Sequence, residues 1–293
     1  MKEVRGLVNL PGFIIDTPGH GNCVIPVKEL FCCKLNKDGM IDKLKCCVVF
    51  CGNLYSPFDD SDPWNPLTTF KALRVNLAIC AYHNIFPSHT DFIQAFMQVM
   101  MTERMFIKLP AYWTEHLPSD LAPFKGIPLC LLRAMYGYTY SGKLLYKEQA
   151  EFLLQFGFTR FVLPALWFKH LPHNGILIIL QYCDDLLCAS TSPKALQHFK
   201  TMLAKRFSNQ WEPRAHWYLQ ARIDSDSHGN ITLDQTQYAS AIVRRYLPNS
   251  DPTPSAQDLI TYESPFPRDF KWSKSDSSSD HDAVRALDLR YQF

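Results

Sequence analysis

Apolar runs broken by short polar stretches alternate along this chain with segments in which apolar residues recur at every third or fourth position. The runs Gly175–Gln181 and Leu186–Ser190 are rich in β-favouring residues, as is typical of buried strands. Only Tyr182–Asp185 separates them, so the pair predicts a β-hairpin with buried arms. The helical spacing elsewhere predicts helices with one apolar face.

The same patterns give an order of elements for most of the chain. Strands are predicted over Cys23–Leu35, Met40–Phe50, Phe161–Lys169, Ala215–Ile223 and Ile231–Leu233, with a turn at Asn36–Gly39. Helices are predicted over 66–83, Ser141–Phe156 before Gly157, Ser192–Phe207 and Gln235–Tyr246. A methionine stripe is interpreted as the core-facing or partner-facing side of a further helix: Met97, Met100, Met101 and Met105. Helices interspersed with a largely antiparallel sheet indicate the α+β class.

The polar break in the predicted hairpin carries two adjacent carboxylates, Asp184 and Asp185. Burying an unpaired carboxylate is costly, so such a pair needs a cation or hydrogen-bond donors. A hard divalent cation such as Mg2+ takes oxygen ligands and is the natural partner. An ordinary polar turn explains the dipeptide equally well, because aspartate is common in turns.

The segment Tyr182-Cys183-Asp184-Asp185 resembles the Tyr-x-Asp-Asp box of reverse transcriptases. Other segments resemble the polymerases of copia-type LTR retrotransposons and occur in that family's order between about Val24 and Leu247. They are Tyr55-Ser56-Pro57, Thr90–Phe96, Phe106–Pro110, Leu131–Tyr138 and Ile231–Tyr238.

The resemblance implies a palm-and-fingers polymerase core with an antiparallel palm sheet backed by helices and a partial thumb. Residues 1–22 would be an irregular N-terminal segment, and 23–250 would form the fingers, the palm and the start of the thumb. The Ser-, Asp- and Pro-rich composition after 250 predicts a linker over 251–293. The resemblance implies that this linker leads toward a ribonuclease H domain, which is absent from this sequence.

The resemblance also implies RNA-directed DNA polymerase activity, in which a primer 3′-hydroxyl attacks the α-phosphate of a deoxynucleoside triphosphate. Asp91, Asp184 and Asp185 are the implied catalytic residues and ligands of two Mg2+ ions, with Mn2+ as an alternative. The implied partners are an RNA or DNA template with its primer and deoxynucleoside triphosphates. From sequence alone, Asp91 could instead cap a helix.

Five further residues receive site roles from the resemblance. Phe96 would lie under the sugar and exclude a 2′-hydroxyl, although a plain core phenylalanine remains the other interpretation. Tyr136 and Gly137 would line the nucleotide pocket, and Tyr182 and Cys183 would flank the primer end.

Two departures from the family pattern support an alternative. Cys47 and Cys51 stand where the family has arginines, and cysteine cannot supply the positive charge that binds a triphosphate. The chain could therefore be a decayed, nucleic-acid-binding remnant of the same domain. Six cysteines lie within the first 51 residues without a Cys-x-x-Cys pair, so a zinc site is not expected.

Composition adds little to these interpretations. The chain has 293 residues, 47% of them hydrophobic, which suffices for a sizeable core. A net charge of +2 means that any nucleic-acid groove depends on local arrangement. The sequence has no signal peptide and no apolar stretch of membrane-spanning length, so an intracellular, cytoplasmic protein is expected. The sequence does not predict its oligomeric state.

Overall fold

A computed structural model describes residues 12–19, 23–35, 41–55, 65–110, 124, 126–226 and 228–246. The chain divides into two compact units, Met1–Gln235 and Thr236–Phe293. The predicted turn at Asn36–Gly39, Ser56-Pro57 and the predicted linker over 251–293 lie outside the described residues. Within the described ranges, no helix is long and apolar enough to cross a membrane.

The fold is α+β, as predicted. Its strands are β1 (Phe13–Ile15), β2 (Val24–Leu35), β3 (Ile41–Phe50), β4 (Ser88–Phe92), β5 (Met100–Lys108), β6 (Pro128–Arg133), β7 (Thr159–Arg160), β8 (Leu166–Leu171), β9 (Gly175–Tyr182), β10 (Asp185–Ser190), β11 (Asn209–Glu212), β12 (Trp217–Tyr218), β13 (Ala221–Ser225) and β14 (Ile231–Asp234). Its helices are α1 (Phe70–Tyr82), α2 (Ser141–Gln155), α3 (Pro193–Arg206) and, in the second unit, α4 (Thr236–Tyr246), with short 3-10 turns at Gly52–Leu54 and Ala95–Gln98.

A five-stranded sheet has the order β1-β6-β5-β2-β3. Strands β2 and β3 pair antiparallel as predicted, and β2 also pairs parallel with β5. One face of the β2–β3 pair carries the buried residues Val27, Val48 and Phe50. This face forms the core beneath the sheet together with residues such as Ile107 and Leu129.

A six-stranded sheet has the order β11-β4-β10-β9-β8-β7 and is covered on both faces. Leu177 and Ile179 of β9 contribute to a core cluster with α2 and α3, whereas Ile178 and Leu180 contribute to a second cluster with α1. Burial on both faces explains why β9 appears in the sequence as a continuous apolar run. A small sheet, β12-β13-β14, lies in the same unit.

The predicted helix ends agree with the structure to within one residue, except that α1 begins at Phe70, four residues after the predicted start at 66. The side chain of Thr69 accepts a hydrogen bond from the amide of Ala72 and caps α1, and Ser192 caps α3 in the same way. After α2, Gly157 adopts a φ of +89°, the left-handed conformation that glycine favours at helix ends.

Several predictions for individual segments are wrong. The methionine stripe lies on the 3-10 turn and β5 rather than on an α-helix, because β5 pairs with β2 and β6, and such tertiary pairing overrides local spacing. The strand predicted over Phe161–Lys169 runs instead over β8. The strand predicted over Ala215–Ile223 is split into β12 and β13 by a turn at Leu219-Gln220, both with positive φ. Strand β1 lies within the N-terminal segment expected to be irregular, because it pairs with β6.

The loop after β6 is joined to the end of β3 by backbone contacts. The amide of Phe50 donates a 2.7 Å hydrogen bond to the carbonyl of Tyr136. Gly137 has a φ of +87°, and a Cβ atom there would lie 2.1 Å from the carbonyl oxygen of Phe50. A Cβ on Gly52 would in turn lie 2.2 Å from the carbonyl oxygen of Gly137. Only glycine allows the two backbones to approach this closely.

We expect Gly137→Ala to lower the free energy of unfolding by about 3 kcal/mol, because left-handed strain and a backbone clash act together. Gly126→Ala is a matched control, since Gly126 has a φ of +69° but nothing within 4 Å of the added Cβ. It should lose only about 1–2 kcal/mol. Denaturant unfolding of both variants measures the difference, and equal losses would show that the contact with Phe50 is not the cause.

Candidate active site

Two of the predicted carboxylates meet across neighbouring strands. β4 and β10 pair antiparallel, and Asp185 is directly opposite Asp91. Directly opposed residues project from the same face of a sheet, so the two side chains share one surface. Asp91 is exposed and Asp185 is half-buried. Asp91 and Asp185 therefore lie on adjacent strands of the six-stranded sheet.

The third carboxylate lies in the turn that joins β9 to β10. Cys183 and Asp184 form this two-residue turn, and Tyr182 pairs with Asp185 at its base. The carbonyl of Asp184 accepts a 2.9 Å hydrogen bond from the amide of Phe92. The turn is thus tied to the residue that follows Asp91, which groups Asp91, Asp184, Asp185, Tyr182 and Cys183 at one end of the six-stranded sheet.

His89 also belongs to this group, although no motif in the sequence indicates it. Its Nε2 lies 3.0 Å from Oδ1 of Asp185, and its Nδ1 lies 3.7 Å from Oε2 of Glu212. Burial by itself lowers the pKa of His89. The hydrogen bond to Asp185 and the charges of Asp185, Glu212 and Asp91 outweigh that effect, and the pKa is raised above its ordinary value of 6.5. His89 precedes Asp91 by two positions, so strand alternation would have placed it on the same face once β4 was known.

The thiol of Cys183 also responds to these surroundings. Burial, followed by the charge of Asp184, raises the pKa of Cys183 to about 12. The side chain is therefore a neutral thiol at physiological pH and contributes packing rather than charge.

The predicted pocket residues form a second group. The rings of Phe96 and Tyr136 lie edge to face with centroids 4.8 Å apart. Phe96 follows β4 in the 3-10 turn and packs against a core cluster that includes Phe92. Gly137, next to Tyr136, makes the close backbone contact with Phe50 described above.

The chemistry of the carboxylates fits a hard divalent cation, because all three offer oxygen ligands. Within the described ranges, however, no three His, Cys, Asp or Glu side chains are grouped closely enough to form a ready metal site. Asp91 and Asp185 share a face through strand register, while Asp184 lies in the adjoining turn. The three carboxylates therefore offer oxygen ligands at one end of the six-stranded sheet.

Of the two cysteines at positions where the family has arginines, Cys47 lies within β3 and Cys51 directly follows that strand. Cys47 is half-buried and pairs with Leu30. Cys51 is half-buried and packs against the core of the five-stranded sheet.

A family model described as reverse transcriptase (RNA-dependent DNA polymerase) matches residues 13–253. The chain belongs to this reverse transcriptase family. The match includes the carboxylate group, the Phe96–Tyr136 pair and the two large sheets.

Curated relatives agree with this assignment and are of the copia type. The chain is 24% identical over 234 residues to the retrovirus-related Pol polyprotein from transposon RE1 of Arabidopsis thaliana, covering 79% of this chain and 15% of the polyprotein. It is 22% identical over 242 residues to the Pol polyprotein from transposon TNT 1-94 of Nicotiana tabacum, covering 80% of this chain and 18% of that protein. A transposon Ty5-1 protein of Saccharomyces cerevisiae is 27% identical over 192 residues, covering 59% of this chain and 60% of that protein.

The chain thus spans less than a fifth of the length of the two plant polyproteins. Among solved structures, it is similar to apo telomerase from Candida tropicalis, truncated from its C-terminal domain. The TM-score is 0.40 at 6% identity, covering 80% of this chain and 59% of that one.

We expect the charged form of His89 to stabilise the metal-free fold. A raised folded-state pKa means that this contribution is fully present below pH 6.5, where unfolded histidine is also protonated. It is lost as the pH rises through the folded-state value. His89→Gln keeps a hydrogen-bonding side chain without the charge. The parent should therefore be more stable than the variant below pH 6.5, and this advantage should shrink at higher pH. Unfolding curves in the presence of a chelator, recorded across this pH range, measure the effect, and a pH-independent difference would contradict it.

Proposed function

We propose that this reverse transcriptase domain is an RNA-directed DNA polymerase that adds deoxynucleotides to a primer 3′-hydroxyl. The observation that carries the proposal is the register of β4 and β10, which sets Asp185 opposite Asp91 beside the turn that holds Asp184. A carboxylate pair at the end of a sheet buried on both faces is a rigid site for phosphoryl transfer chemistry.

In this proposal the six-stranded sheet with α1, α2 and α3 is the palm, and the five-stranded sheet is the fingers. The β12-β13-β14 sheet and the segment from Thr236 onward lead into the thumb, within a domain over 23–250. RNA or DNA template, primer and deoxynucleoside triphosphates are its proposed partners.

Asp91 and Asp184 would hold divalent cations directly, with Asp185 in support. The contact of Asp185 with His89 agrees with a supporting role for Asp185. Two Mg2+ ions, or Mn2+ in their place, would supply electrostatic stabilisation of the attacking and leaving oxygens.

The remaining proposed site residues would bind and orient the nucleotide and the primer. The Phe96 ring, held edge to face by Tyr136, would close the space that a 2′-hydroxyl needs. The loop of Tyr136 and Gly137 would line the nucleotide pocket, and Tyr182 and Cys183 would support the primer end. The decayed-remnant alternative draws on Cys47 and Cys51, which offer no positive charge to a triphosphate.

Asp184→Asn should reduce primer extension on an RNA template with Mg2+ by at least about a thousand-fold, since it removes a ligand charge at nearly constant shape. The fold should persist, because the hydrogen bond from Phe92 uses the backbone of residue 184. Glu148→Gln, on α2 and paired with Arg206, is a control that should stay within about two-fold of the parent. An Asp184→Asn protein with parental activity would reject the assignment. A folded parent that binds primer–template but extends nothing would favour the remnant.

Phe96→Val should relax sugar selection, because the smaller side chain leaves room for a 2′-hydroxyl. We expect the ratio of deoxynucleotide to ribonucleotide incorporation efficiency to fall by at least about ten-fold. Single-nucleotide extension kinetics with both substrates give this ratio. If it stays unchanged, Phe96 is a core residue only.

A further inference from the structure

A chain of hydrogen bonds runs through the palm core to the carboxylate turn. Nε1 of Trp167 donates to Oε1 of Gln181 at 2.8 Å, and Nε2 of Gln181 donates to Oε1 of Gln149. Nε2 of Gln149 then donates to the carbonyl of Cys183 at 3.0 Å. Both glutamines are buried, with Gln149 2% and Gln181 1% exposed.

The direction of this chain is fixed by its first member. An indole N–H is a donor only, so the oxygen of the Gln181 amide must face Trp167 and its nitrogen must face Gln149. The same constraint turns the oxygen of Gln149 toward Gln181 and leaves its nitrogen for the Cys183 carbonyl. The amide orientations therefore follow from chemistry as well as from position.

Hydrogen bonds of its own backbone hold Gln181 in place. Its backbone amide donates to the carbonyl of Ala165 at 2.8 Å, and its carbonyl accepts from the hydroxyl of Thr68 at 2.7 Å. Burying two amides among apolar residues is costly unless every polar group is satisfied. The oxygen and nitrogen of both side-chain amides have hydrogen-bond partners here, and the last of these bonds is accepted by the Cys183 carbonyl in the turn.

The turn needs such a partner because its conformation is strained. Cys183 has a φ of +47°, which is uncommon for residues other than glycine. Gln149 binds the Cys183 carbonyl from the α2 side, and the amide of Phe92 binds the Asp184 carbonyl from β4. Both carbonyls of the turn are thus held from different elements.

We propose that Gln149 is a positioning residue that fixes the Cys183–Asp184 turn, and with it the Asp184 carboxylate, while Gln181 fixes the orientation of Gln149. The catalytic consequence rests on the proposed polymerase function, whereas the effect on the turn does not.

The turn can be followed through the thiol of Cys183 without any polymerase assay. This thiol is half-buried, so its alkylation by iodoacetamide, resolved by peptide mass spectrometry, reports local opening of the turn. Gln149→Leu removes the donor to the Cys183 carbonyl, and alkylation of Cys183 should become at least about five-fold faster. Gln149→Met keeps the length of the side chain but has no donor, so alkylation of Cys183 should accelerate in the same way, and this variant serves if the leucine variant does not fold.

Gln98→Leu is the matched control. Gln98 is also a buried glutamine that donates to backbone carbonyls, those of Ile93 and Ser208 at 2.7 and 2.8 Å. The melting temperature of Gln98→Leu should fall by about as much as that of Gln149→Leu. The rate of Cys183 alkylation in Gln98→Leu should stay within about two-fold of the parent. Equal acceleration in Gln98→Leu and Gln149→Leu, or none in either Gln149 variant, would overturn the inference.

Primer extension then tests the consequence for catalysis. In Gln149→Leu, kcat should fall at least about ten-fold while KM for the deoxynucleotide changes less than about two-fold, because Asp184 is displaced but the pocket is intact. If the parent extends no primer while Cys183 alkylation still accelerates, the proposed function fails and the positioning of the turn stands. An active parent with an unchanged kcat in Gln149→Leu would overturn the role of Gln149 toward Asp184.

Discussion

Antiparallel pairing of β4 with β10 is the constraint on which the candidate site depends. Side chains alternate between faces along a strand, so a slip of one residue would move Asp91 to the opposite face of the sheet and put Thr90 in its place. The apolar neighbours oppose such a slip, because Leu186 pairs with Thr90 on one face and Leu187 pairs with His89 on the other. Core packing therefore sets the position of the carboxylates.

That packing is costly to disturb because the central strands are buried on both faces. The clusters on the two sides of β9 and β10 belong to different helices, and each uses alternate residues of the same strands. The three carboxylates lie at one end of this sheet. There the neighbouring groups offset the cost of this charge: His89 pairs with Asp185, and backbone amides or buried glutamines satisfy the carbonyls of the turn.

Features that depend on local sequence were predictable. The β9–β10 hairpin, the β2–β3 pair and the capped helices follow from apolar period, turn residues and end signals. Strand β4 has no clear signature in the sequence, because Ser88, His89, Thr90 and Asp91 give it little apolar character. It is a strand because it pairs with β10 and β11. The helix predicted for the methionine stripe is wrong for a related reason. β5 is a strand because it pairs with β2 and β6, and the spacing of its own residues does not indicate this.

The residues of the candidate site likewise fall into those that the sequence indicates and those that only the fold reveals. The resemblance named the carboxylates, Phe96 and Tyr136. The structure sets Asp185 opposite Asp91 and packs the ring of Phe96 against that of Tyr136. His89 and Gln149 could not be identified from sequence. A histidine or glutamine acquires its role here only when the fold brings it to Asp185 or to the Cys183 carbonyl, and neither contact has a local signature.

The meeting of Phe50, Gly52 and Gly137 has a mechanical consequence. The contact is made by backbone atoms, which lack the rotamer freedom that lets side chains slide past one another. A tilt of the β2–β3 hairpin is therefore transmitted to the loop of Tyr136, and from there to the ring of Phe96. In the proposed polymerase, movement of the hairpin over a triphosphate would therefore be coupled to movement of the Phe96 ring against its sugar.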